Sequence, residues 1–129
     1  MSDIISKLQK KSGFVSLSSA AEEKIIQAEE ALNLTFTDEY RKYLTAFSVV
    51  SFYGHELTGI CSSPRLNVVD VTISERISNP TVPTNWYVVE QANIDGIVVW
   101  QSCTGEVWQT MPNAPPVKLY ESLCEYFEL

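Results

Sequence analysis

The chain has 129 residues, 45% of them apolar, and a formal net charge of -7. That length supports one domain burying roughly two thirds of its unfolded surface, without help from metals or disulfides. The apolar content excludes disorder, and no apolar run approaches the ~20 residues of a membrane span.

The charge is uneven. Residues 1–48 carry 6 basic and 7 acidic groups, residues 49–129 carry 3 and 9, so the two parts stand at -1 and -6. An acidic half repels nucleic acid and anionic membrane and favours a basic protein partner. The start, MSDIISKLQKK, lacks the apolar core of a signal peptide, which predicts a cytoplasmic protein. Cys61, Cys103 and Cys124 are odd in number and without C-x-x-C spacing, as expected of reduced thiols.

In chain order, Ile4 and Leu8 predict a short helix over 3–11, stopped by Gly13. Phe14, Val15 and Leu17 form an apolar connector. Ser19 and Glu22 have capping-box spacing ahead of a helix over about 20–32. Its apolar stripe is Ala21, Ile25, Ala28 and Leu32, which leaves Glu22, Glu23, Glu29 and Glu30 on the wet face. Adjacent helical carboxylates point about 100° apart, so they read as solvated rather than as an acid–base pair.

Leu32, Leu34 and Phe36 carry apolar surface across a short link. Thr35 and Asp38 have the spacing of a cap for a helix starting near Thr37. Tyr40, Tyr43, Leu44 and Phe47 share one face of it, with Asp38 and Glu39 at the positive end of its dipole. Val49 to Tyr53 is β-branched and aromatic, hence a strand; Gly54 and His55 turn the chain into an extended Glu56–Cys61. Residues 67–78 are ambiguous. Their β-branched content favours a strand, whereas Val69, Ile73 and Ile77 at helical spacing behind an Asn67 cap favour a helix.

Three strands follow, at Trp86–Gln91, Ile97–Gln101 and Glu106–Thr110, turned at Asn93–Gly96 and at Thr104-Gly105. Met111–Pro116 holds three prolines and is a loop. Leu119, Leu123 and Phe127 at i, i+4, i+8 predict a closing helix over 121–129. The sum is an α+β fold, helices packed on an antiparallel sheet.

Motifs for catalysis are missing. There is no G-x-S-x-G, Walker loop, Rossmann fingerprint or H-E-x-x-H. His55, the single histidine, lacks an orienting third group even if Cys61 or Cys103 lies near it. No catalytic residue, metal ligand or cofactor is expected. Trp86, Trp100 and Trp108 sit on successive strands and mostly fill the core, with Trp108 half exposed beside Glu106 and Thr110. Aromatics interleaved with acids suit a protein-binding surface, here Tyr53, His55, Glu56, Asp95, Glu106 and Trp108.

One stretch carries more than composition. Glu29, Glu30, Leu32, Leu34, Asp38, Tyr40, Leu44 and Phe47 resemble the N-terminal signature of the SUKH superfamily, which takes in bacterial immunity proteins and fungal cell-wall synthesis regulators. Tyr53, Gly54, Glu56, Leu57 and Gly59 are similar to a further element of that family. So are the Asp95-Gly96 turn and Gly105-Glu106-Val107-Trp108. Two positions depart: Thr37 stands in place of Pro, and Ser48-Val49-Val50-Ser51 replaces Asn-Gly, leaving the turn without its left-handed residue.

The resemblance implies one SUKH-like domain over 1–129, with a helix at 67–78 and a helix at the end. It implies a non-catalytic, intracellular immunity protein that neutralises a cognate bacterial toxin domain. Many such toxins are nucleases with basic clefts, so the partner is expected to be basic. Nucleic acid and membrane are not expected as partners, and the protein is expected to be a monomer or a weak homodimer. A regulatory scaffold and a small-ligand-binding domain using a cleft beside His55 are the alternatives.

Overall fold

Ile4 and Leu8 drive the first helix, α1 (Ile4–Gln9), and both are buried. The computed structural model describes residues 4–16, 19–52, 54–92 and 96–127. Helix α1 ends at Gln9, four residues short of the expected stop at Gly13, which takes φ +75° in the turn that follows. The connector after it contributes an unforeseen two-residue strand, β1 (Val15–Ser16), at a sheet edge; Leu17 lies outside the described residues.

Helix α2 (Glu22–Leu32) ends at Asn33 in the left-handed conformation. The expected capping box does not form. Ala21 is the cap, with no side-chain hydrogen bond. Ala20 N–H instead donates to Leu44 O (3.0 Å), which ties this segment to the next helix and leaves Ser19 two residues ahead of the cap. Ile25, Ala28 and Leu32 are buried as read, but so is Glu29.

Helix α3 (Asp38–Ala46) is capped by Thr37, not Thr35: Tyr40 N–H donates to Thr37 Oγ1 at 3.1 Å. Tyr40, Tyr43, Leu44 and Phe47 are buried together, as their spacing predicts. Ser48 then adopts φ +65°, so the turn keeps its left-handed residue without Asn-Gly. Ser48 Oγ offsets that strain by donating to Ile60 O and accepting from Ile60 N–H (3.1 Å).

The chain then pairs as β2 (Val50–Phe52) and β3 (His55–Glu56), which with β1 make a three-stranded antiparallel sheet. Asn67 accepts hydrogen bonds from Val69 and Asp70 N–H and so starts helix α4 (Val68–Ser78). The helical reading is right, but its inner face is another one. Val68, Val71 and Thr72 are buried, while Ile73 and Ile77 are 46% and 78% exposed. Thr72 Oγ1 accepts from Val88 N–H (3.0 Å) and Arg76 Nη2 donates to Thr84 O (2.6 Å). These polar ties rotate the helix away from the Val69–Ile73–Ile77 stripe.

The second sheet runs β4 (Trp86–Gln91), β5 (Val98–Ser102), β6 (Val107–Thr110) and β7 (Val117–Tyr120), all antiparallel. The last strand is a correction. Leu119 belongs to β7, paired with β6, and the closing helix α5 shrinks to Leu123–Tyr126. Ser122 caps it by accepting from Glu125 N–H. Apart from Gly96, the turn expected at Asn93–Gly96 lies outside the described residues. The two sheets meet where Leu57 bridges Glu90 and Thr58 N–H donates to Val89 O (2.9 Å).

The second sheet has two buried faces. Tyr87, Val89, Val99 and Val107 pack with α1, α3 and α5 in the main core. Trp86, Val88, Val98 and Trp100 pack with Val71 of α4 on the other side, with Trp108 against them.

Gly59 marks the tightest approach in the chain. A Cβ there would stand 1.5 Å from Ser48 O, a backbone atom held by the turn just described. Gly59→Ala is therefore expected to cost more than about 4 kcal/mol, read as a collapse of the urea midpoint.

Burial raises the pKa of Tyr40, Tyr43 and Tyr87 above that of a free phenol. Each holds its proton more tightly folded than unfolded. That contribution is complete below pH ~10 and is lost as pH rises from there towards the folded pKa values. Stability should fall above pH ~10 by about 1.4 kcal/mol per pH unit for each tyrosine, and with Tyr126, likewise raised, by roughly 5–6 for the four. Urea titrations across that range check the slope, and Tyr87→Phe should reduce it by about a quarter.

Candidate functional site

Strands β3 and β6 carry three of the six residues that composition singled out, and a fourth, Glu106, directly precedes β6. Tyr53 and Asp95 lie outside the described residues. His55 and Glu56 form β3, at the seam between the sheets. Glu106 precedes β6, and Trp108 lies within it, two strands further along the second sheet from β4.

His55 stands in a strand rather than a turn. Its Nδ1 is 2.7 Å from Glu90 Oε2, and its ring stacks on Phe52 with centroids 5.1 Å apart. Glu90 is only 3% exposed and also accepts from Tyr126 Oη. The buried carboxylate therefore ties β3 and α5 to β4. Its neighbours push up the Tyr126 phenol, chiefly by burial and then by the Glu90 charge. This use of His55 is structural, with no nucleophile in the contact set.

Glu56 makes a two-pronged ion pair with Arg65, at 2.8 and 3.1 Å. The guanidinium holds the Glu56 carboxyl below the usual range. Glu106 lies 3.8 Å from Lys118 Nζ and accepts from Ser102 and Thr104 hydroxyls at 3.3 Å. Trp108 stacks on Trp86 with centroids 4.9 Å apart and is half-buried, as alternation predicts. Its indole N–H is buried without a hydrogen-bond partner.

These four residues do not converge. Glu90, the partner of His55, reaches Tyr126 on the main-core side of the sheet, whereas Trp108 packs on the opposite, α4 side. The hollow beside β3, lined by Glu56, Thr58, Arg65, Leu66 and Gln91, encloses only about 10 Å³, room for no more than a water. A roomier groove of about 530 Å³ between α2 and the chain at 60–62 is lined by Ala20, Ala28, Ile60 and Val69 with Lys24, Gln27 and Asn67. Among the described residues, no three of His, Cys, Asp and Glu are placed to hold a metal. Nor is any described helix long and apolar enough to cross a membrane.

Two further carboxylates have structural roles that sequence reasoning missed. Glu29 accepts from Phe36 N–H (2.8 Å) and pairs with Arg41, pushing the guanidinium pKa up. Its sequence signal was available: with Ile25, Ala28 and Leu32 it completes an i, i+3, i+4, i+7 face, so it was wrongly left with the wet residues. Glu39 accepts from Gln101 Nε2 (2.8 Å) and from Leu123 N–H (2.6 Å), 84 positions away. No local pattern announces that bond.

The acidic balance is redistributed accordingly. Of the carboxylates beyond residue 48, Glu90 is buried, and Glu56, Glu106 and Glu121 lie within 4 Å of Arg65 or Lys118. Glu22, Glu23, Glu30 and Asp38 on α2 and α3, and Asp70 and Glu125 further on, are exposed and take part in none of the ion pairs among the described residues. Four of these six acids lie on α2 and α3, where Lys24 and Lys42 are exposed with them.

The Glu90 junction is open to a direct test. Tyr126→Phe removes a donor from a buried carboxylate and should cost about 1–3 kcal/mol in chemical denaturation. His55→Ala should cost less, because water reaches the half-exposed ring and can replace it.

The family model SUKH_5, described as SMI1-KNR4 cell-wall, matches residues 1–128. None of the curated proteins matches the chain.

Proposed function

The chain belongs to the SUKH_5 family, described as SMI1-KNR4 cell-wall, and from that premise we propose that it is an intracellular, non-catalytic immunity protein. It binds a cognate bacterial toxin domain and blocks it. The family match across residues 1–128 is the observation that carries this reading.

The distribution of charge supports a basic partner, such as a nuclease domain whose substrate cleft attracts phosphate. Exposed carboxylates without counter-ions would steer such a domain into contact and raise the association rate. The family's cell-wall description also favours a second reading, a regulatory scaffold that binds several partners weakly. The two differ in stoichiometry and affinity, since an antidote forms one tight complex.

The test uses the gene next to this one. The C-terminal domain of the adjacent upstream product is expressed in a naive host, with and without this protein, and survivors are counted. We expect the domain to kill alone and to be harmless with the protein present. A domain that is harmless by itself, or kills regardless, removes the immunity reading and leaves the scaffold. In the purified pair, association should slow about tenfold or more between roughly 20 and 200 mM salt. A salt-independent rate would argue against a steered, basic partner.

A further inference from the structure

Helix α2 buries the face of Ile25, Ala28 and Leu32 and turns the opposite one to solvent. Ile26 is 43% exposed on that outer face. Glu22, Glu23 and Glu30 stand at i-4, i-3 and i+4 from it, which makes them its neighbours on the helix surface. Beside Ile26 a groove of about 360 Å³ runs along Glu29, Glu30, Asn33, Leu34 and Thr35. Arg41, across the α2–α3 junction, is already engaged by Glu29, and Glu22 and Asp38 also act on it. Lys24 projects about 100° away from Glu23 around the helix.

An apolar centre with a rim of uncompensated carboxylates is the anatomy of an interface awaiting a cationic partner. We infer that the outer face of α2, with the groove at residues 26–35, is the docking surface for a basic protein partner that seats an apolar side chain against Ile26. This rests on the immunity reading for the identity of the partner, but the surface can be tested without it. It also moves the site away from Glu106 and Trp108, where Lys118 already meets the acid and Trp86 covers the ring.

Two probes decide it. The first is a synthetic peptide of alternating lysine and leucine, titrated into the ¹⁵N-labelled chain. Amide shifts should centre on residues 22–35, and Glu22→Gln/Glu23→Gln/Glu30→Gln should weaken binding about tenfold while keeping the dispersed amide spectrum of the folded parent. Shifts centred on β6 and β7, or equal binding by the triple variant, overturn the surface.

The second probe is the toxin domain from the neighbouring gene. The triple variant should associate about tenfold more slowly, and Ile26→Ser should raise the dissociation rate; Glu106→Gln should change neither by more than about threefold. Binding that survives the α2 changes and is lost with Glu106→Gln overturns the surface but keeps the immunity reading. A domain that neither kills nor binds removes the immunity reading, and the peptide map then decides the surface alone.

Discussion

Three buried phenol hydroxyls set the geometry of this protein. Tyr40, Tyr43 and Tyr87 pack as one aromatic group, with Tyr40 centroids 5.3 Å from Tyr43 and 4.9 Å from Tyr87. Each ring brings a polar atom into the core, and an unpaired hydroxyl there would cost about 1–3 kcal/mol. Their partners are therefore fixed. Tyr40 shares a 2.8 Å hydrogen bond with Thr58 Oγ1, and Tyr43 donates to Thr58 O at 2.6 Å. Tyr87 donates to Gln101 Oε1 at 2.6 Å and accepts from Thr37 N–H. Thr58 in turn donates to Val88 O. Helix α3 is thus locked to the seam between the sheets and to β4 and β5, and Gln101 passes the network to Glu39 and the start of α5.

Carboxylates divide into two populations by the same logic. Glu39 and Glu90 each bind a chain segment distant in sequence, and Glu29 ties the end of α2 to the link and to α3, so the fold needs their charge where it is. Glu22, Glu23 and Glu30 support no fold contact of that kind, and they surround an exposed isoleucine. A net charge of -7 does not distinguish the two. A count by sequence halves does not separate them either, because burial and ion pairing are settled by distant contacts.

Sequence reasoning succeeded wherever a local rule had no tertiary competitor. The face of α3 and the bounds of β4 follow from apolar spacing and β propensity. The α4 cap at Asn67 follows from side-chain chemistry alone. It failed where two local rules conflicted with a distant bond. Ile73 and Ile77 have ideal spacing for burial, yet Thr72 is turned inward to satisfy the Val88 amide. Leu119 has helical spacing with Leu123, yet an open edge beside β6 gains more from a paired strand. Ser48 reaches a left-handed backbone that Asn-Gly would have supplied, because Ile60 satisfies its hydroxyl.

By itself, then, the sequence determined the α+β class, most elements and the family, since these rest on periodicity, caps and motifs that a few neighbouring residues complete. Tertiary structure alone decided which face of α4 is inside, that residues 117–120 form a strand, and that Glu39 and Glu90 are structural. Those outcomes depend on hydrogen bonds between groups dozens of positions apart, such as Glu39 with Leu123, and no local pattern encodes a partner that far away. The candidate site followed the same division. Residue type suggested a surface built from acids and aromatics, and the folded chain set the described members of it on two separate faces of the second sheet, because the pairing of strands and not local spacing decides which residues meet.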